Sequence, residues 1–165
     1  MFTWLIDTNG DWVFTIARVV LGIVLFAHGA QKLLGWFEGP GVRATLRTFR
    51  DQLGIPVVFA WLAIAAEFLG GLGLIVGLFT RIAALGIAIT VLVAMVMVHL
   101  RYGFFMNWYG NKPGHGVEYH LLVIALAIVV IAKGAGAFSL DLALSRHLPA
   151  PNNVASGRTI GELTK

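Results

Sequence analysis

The sequence predicts an all-α integral membrane protein: a four-helix bundle with a short interfacial helix in its first loop. Three observations predict it. Of 165 residues, 58% are hydrophobic and only 12% charged, about half the charged fraction of an ordinary soluble domain. The apolar residues gather in four long runs, more than a soluble core of this size hides. The runs are continuous rather than alternating, so they suit helices and not a barrel.

A bilayer core requires about 20 apolar residues in a helix. Span one covers about 12–34 and span two about 57–79. Span three covers about 82–100. Span four, about 117–132, is short, and its lower turns are expected near the interface. Little more than Thr80 and Arg81 separates spans two and three, so these two form an antiparallel hairpin. In loop one, VRATLRTFRDQL sets Val42, Leu46, Phe49 and Leu53 at helical spacing, with Arg43, Arg47 and Arg50 opposite. That pattern suits a helix in the headgroup plane, although an ordinary solvated helix has the same pattern. Residues 1–148 form one membrane domain, and the polar tail 149–165 is expected to be disordered. The N-terminal MFTWLIDTNGDW lacks a basic n-region and a small-residue cleavage site, so it does not read as a signal peptide.

The formal net charge of +4 is scattered along the chain. It fits contact with anionic membrane lipids and argues against nucleic acid. There is no cysteine, which excludes disulfides, thiolate-held iron–sulfur clusters, CxxCH haem attachment and dithiol chemistry. Lys32, Arg43, Arg47, Arg50, Arg101 and Lys112 lie on the side of loops one and three, against Arg81, Lys133 and Arg146 on the other. This excess favours loops one and three in the cytoplasm and both termini outside, in a multi-pass membrane protein. Gly70, Gly73 and Gly77 share one face of span two and offer either a homodimer interface or close packing within the bundle.

Depth along each span, at about 1.5 Å per residue, gathers the polar residues. His28, Gln31 and Lys32 end span one, His99 ends span three, and Glu118 and His120 begin span four, all on the same side. Glu67 lies nearer the middle of span two. A charge there costs about 3 kcal/mol, so Glu67 requires a partner. Arg18 is the first candidate for that partner, followed by Lys32 or a histidine. Arg18, His28, Gln31, Lys32, Glu67, His99, Glu118 and His120 are therefore expected to wall a polar chamber that binds a ligand or relays protons. Phe104, Phe105, Trp108 and Tyr109 in loop three are candidates for an aromatic lid. No metal site is expected, and no catalytic residue stands out.

The residues quoted next carry a resemblance to the DoxX family of small four-span bacterial membrane proteins. They are RVVLGIVLFAHGAQKLLGWF, FRDQLGIP, AEFLGGLGLIVGLFTRIAAL, the GFF of loop three, Gly116 with Glu118, and GAGAFSLD. The order and spacing of these pieces, over roughly residues 14–144, make the match. The resemblance implies a membrane subunit associated with redox or oxidative-stress complexes and with quinone. It singles out Arg18, His28, Gly29, Lys32, Glu67, Gly116, Glu118, Ser139 and Asp141, without assigning a catalytic role to any. Ser139 is expected to cap a short C-terminal helix.

Four functional classes follow. The first is a quinone-handling accessory subunit, served by a soluble or membrane oxidoreductase partner because the chain offers no evident electron carrier of its own. The second is haem ligation through His28, His99 or His120, disfavoured because two of these lie close to the surface. The third is a transport or binding bundle for protons or small molecules. The fourth is a non-catalytic structural subunit.

Overall fold

The computed structural model describes residues 3–147. The tail 149–165, with its expected disorder, lies outside the described residues. A 3₁₀ turn, Thr3–Leu5, precedes α1, Trp12–Leu34. Asp11 caps α1 by accepting from the Val13 N–H at 2.8 Å, and Gly35, at φ 74°, ends it. The remaining helices are α2 (Gly41–Asp51), α3 (Val57–Val76), α4 (Thr80–Ala94), α5 (Glu118–Lys133) and α6 (Leu140–His147). α4 continues into a π-helical turn, Met95–His99, and a 3₁₀ turn, Leu100–Tyr102. Among the described residues there is no strand.

Among the described residues, three stretches are long and apolar enough to cross a membrane: Trp12–Leu34, Val57–Val76 and Thr80–Tyr102. α5 has 16 residues, a length of about 24 Å against a hydrocarbon core of about 30 Å. The outer surfaces are strongly apolar. Ile16, Val20, Leu62, Leu69, Ile82 and Ile89 are all at least half exposed, a surface suited to lipid and not to water.

The core draws on α1, α3, α4 and α5, through Leu21, Leu25, Leu74, Ile87, Val91, Val123 and Val130. α1 lies very close to α3 because glycines stand where they meet. A Cβ on Gly29 would lie 2.4 Å from the Phe68 amide nitrogen, and one on Gly71 would lie 2.5 Å from that of Phe26. The stripe Gly70, Gly73 and Gly77 is used differently. Gly70 and Gly73 turn toward α4, while Gly77 ends α3 at φ 73° and is buried beneath Ser139 and Arg18. Gly77 therefore cannot belong to an outward dimer face. Gly29→Leu is expected to wedge α1 from α3 and cost more than about 2 kcal/mol. Thermal unfolding in detergent checks this. Gly10→Ala is the unaffected control, since a Cβ there meets nothing within 4 Å.

The end of the molecule that holds the α3–α4 turn is fastened by side chains that bind backbone. Asp141, 1% exposed, accepts from the Phe79 N–H at 2.8 Å, the Thr80 N–H at 3.0 Å and the Thr80 hydroxyl at 2.8 Å. It thus caps α4 from 61 residues away. Arg81 donates to the Ile131 and Ala132 carbonyls at the C-terminus of α5 and to the Asp7 carbonyl, and its guanidinium lies 4.7 Å from the Trp4 ring centre. Ser139 accepts from the Leu142 N–H at 3.2 Å, the cap of α6.

Candidate functional site: a lateral groove with a polar end

The flank shared by α3 and α4 carries a groove of about 890 Å³. Small residues open it: Ala63, Ala66, Gly70 and Gly73 from α3, and Ala83, Gly86 and Thr90 from α4. Phe49 and Leu53 from α2 and its C-terminal turn close one end, where Lys32, Glu67 and His99 also line the wall. α2 is seated there by its apolar side. Val42, Leu46 and Phe49 are half-buried, while Arg43, Arg47 and Arg50 are exposed. Arg50 bonds Asp51 at 2.7 Å, which holds the Asp51 carboxyl below its usual range.

Glu67 is 4% exposed and is bridged through both carboxyl oxygens by the Lys32 ammonium. This corrects the expected pairing with Arg18. Arg18 is 1% exposed, and its five N–H bonds all reach carbonyls: Leu74 at 2.6 Å, Ile75 at 2.8 Å, Ala135 at 2.6 Å, Ala137 at 3.2 Å and Phe138 at 2.7 Å. Leu74 and Ile75 belong to the last turn of α3, whose carbonyls lack helical partners and whose dipole attracts a cation. Arg18 is therefore a staple at the far end of α3, away from the site.

The histidines separate. His99 and His120 lie ring to ring, with centroids 4.1 Å apart. His99 Nδ1 lies 2.9 Å from the His115 carbonyl. His120 is 6% exposed, and its Nδ1 has no hydrogen-bond partner among the described residues. His28 is exposed, and its ring lies 5.9 Å from that of Tyr119 on α5. The buried Tyr119 hydroxyl is likewise without a partner. Tyr119 escapes a search for ionisable spacing, because it reads as one more aromatic at the start of an apolar run.

Two other candidates hold loops. Gln31 donates to the Phe37 carbonyl at 3.3 Å and steadies the turn after α1. Glu118 accepts from the Met106 N–H at 3.0 Å and anchors loop three. Loop three is also pinned by the Gly116 N–H to Phe105, Val117 N–H to Gly103 and Glu118 N–H to Phe104 carbonyl bonds. This pairing directs backbone inward and rings outward. Phe104, Phe105, Trp108 and Tyr109 are 53%, 65%, 78% and 91% exposed, and none lines the groove. They form no lid. Their exposure suits an aromatic belt at the membrane surface. Among the described residues, no three His, Cys, Asp or Glu side chains are grouped to hold a metal ion.

A helical membrane protein with an apolar groove on its flank and a buried ion pair at one end of that groove is the class these features define. The chain belongs to the DoxX family, whose model matches residues 13–100. That stretch contains Lys32, Glu67, His99 and both walls of the groove. Three relatives illustrate the range. "Putative oxidoreductase CatD" of Bacillus subtilis (strain 168) is 29% identical over 76% of this chain and 82% of its own length. "Uncharacterized membrane protein Rv3486" of Mycobacterium tuberculosis is 31% identical over 88% of this chain and 90% of its own. "Inner membrane protein YqjF" of Escherichia coli is 25% identical over 79% of this chain and 91% of its own. No solved structure matches the chain.

Proposed function

We propose that the protein is an accessory subunit of a quinone-linked redox complex in the inner membrane, and that its α3–α4 groove takes a quinone-like ligand. The carrying observation is the groove itself: about 890 Å³ of apolar wall with Lys32, Glu67 and His99 at one end. Its volume lies in the range of small-molecule sites, which pair apolar walls with a few placed polar groups. An amphiphile with a polar ring and an apolar tail suits that asymmetry. The Lys32 ammonium can donate to a ring carbonyl, and the tail can lie along Gly70, Gly86 and Thr90. The chain has no cysteine to hold a redox cluster, so a partner oxidoreductase would exchange the electrons. The name of the Bacillus subtilis relative is in keeping with this reading. Haem is a poorer fit, because ring centres 4.1 Å apart leave no room for an iron between His99 and His120.

In this reading α5 is a fourth span, shortened because the segments on either side of it fold back against the bundle. α2 lies in the headgroup plane, its three exposed arginines toward anionic lipid. Loops one and three face the cytoplasm. The test is mass spectrometry of small molecules retained by protein extracted in native-lipid discs. A prenylated quinone is expected, and Thr90→Trp, which fills the groove, should reduce its content about tenfold without loss of fold. Absence of any quinone, together with no binding of added quinone, overturns the proposal.

A further inference from the structure

We propose that the polar end of the groove selects the reduced, hydroquinone form of its ligand over the oxidised quinone. This rests on the reading that the groove takes a quinone-type molecule. The argument begins with the His115 carbonyl. A carbonyl oxygen only accepts hydrogen bonds, so His99 Nδ1, 2.9 Å away, must be the donor and carry the proton. In the neutral ring the second nitrogen, Nε2, is then an acceptor. The backbone of loop three thus fixes the tautomer of a side chain that lines the groove. His115 is itself held in this arrangement, because its own Nδ1 lies 3.3 Å from the Asn107 N–H and accepts from it.

Lys32 supplies the opposite polarity. Its ammonium has three N–H bonds, and the two Glu67 oxygens occupy two of them. The third remains for a ligand oxygen. The end of the groove therefore offers one donor, the Lys32 N–H, and acceptors only besides it: His99 Nε2 and the remaining lone pairs of the Glu67 carboxylate. A quinone carries only carbonyl oxygens and would leave His99 Nε2 facing an oxygen with nothing to donate. A hydroquinone carries two hydroxyls, each able to donate or accept. One hydroxyl can donate to His99 Nε2 and the other can accept from Lys32. Leaving a desolvated acceptor unpaired costs enough to give about a tenfold difference in affinity.

The experiment is an anaerobic titration of the full chain in lipid nanodiscs with a short-tailed benzoquinone and, separately, its hydroquinone. It is run at pH 8, where an ordinary imidazole is neutral. The hydroquinone is expected to bind about tenfold more tightly. In His99→Phe, which keeps a ring and removes the acceptor, the two affinities should fall within about twofold of each other. Equal or tighter binding of the quinone by the native protein overturns the selection and leaves the groove as a quinone site. A preference that survives in His99→Phe also overturns it. Binding of neither form removes the groove reading, and the selection with it.

Discussion

Replacing Arg18 with leucine is expected to abolish recovery of a folded, monodisperse protein. The guanidinium is 1% exposed, and each of its five N–H bonds meets a different carbonyl. Leucine leaves all five carbonyls without that partner, those of Leu74 and Ala135 at buried bonds and those of Ile75, Ala137 and Phe138 at part-buried ones. An unsatisfied buried polar group costs about 1–3 kcal/mol. The sum reaches the whole net stability of a typical domain, about 5–15 kcal/mol. Two separate tethers are lost together, since Leu74 and Ile75 end α3 while Ala135, Ala137 and Phe138 lie between α5 and α6. Arg18→Lys separates charge from geometry. It keeps the cation but has three donors for five acceptors, so it should fold and melt well below the native protein. The measurements are gel-filtration yield and thermal unfolding in one detergent. A leucine variant that melts within a few degrees of the native protein would show that the staple is dispensable.

The helices were far easier to read in the sequence than the contacts between them. An apolar run carries its own signal, and α1 begins and ends where its run does, at Trp12 and Leu34. The apolar face of α2 was legible for the same reason, since a 3.6-residue period needs no knowledge of neighbours. The partner of Arg18 was not legible because it is backbone: any residue supplies a carbonyl, so no composition marks Ala135 or Leu74. Asp141 is a similar case, bound to the amides of Phe79 and Thr80. Among the glycines, spacing drew attention to Gly70, Gly73 and Gly77, yet Gly22, Gly29 and Gly71 bring α1 against α3. A small-residue stripe reveals that some helix can come close, but not which one. Depth placed Lys32, His99 and His120 on one side of the molecule. Rotation then divided them into an ion pair at a groove, a stacked histidine pair and an exposed His28 beside Tyr119. The groove had no signature of its own, because it arises from small side chains on two helices that an apolar index scores like any others.

Removing the lysine of the ion pair separates architecture from function. Lys32→Met is expected to destabilise the protein by about 3–5 kcal/mol, because it strands the carboxyl of Glu67 at 4% exposure without its counter-charge. Adding Glu67→Met should recover most of that loss, since a buried ion pair replaced by apolar groups of similar volume is often neutral or stabilising. Thermal unfolding of the native protein, the single variant and the double variant in the same lipid discs measures both steps. If the double variant stays as unstable as the single, the pair is not the isolated contact its geometry describes. A recovered double variant then carries the decisive comparison. A purely architectural pair predicts native binding of a short-tailed quinone or hydroquinone, because the fold is intact. A pair that forms the polar end of a binding groove predicts at least tenfold weaker binding in a protein that unfolds like the native one. Stability and affinity part company only in the second case, so the double variant decides whether Lys32 and Glu67 serve the fold or a ligand.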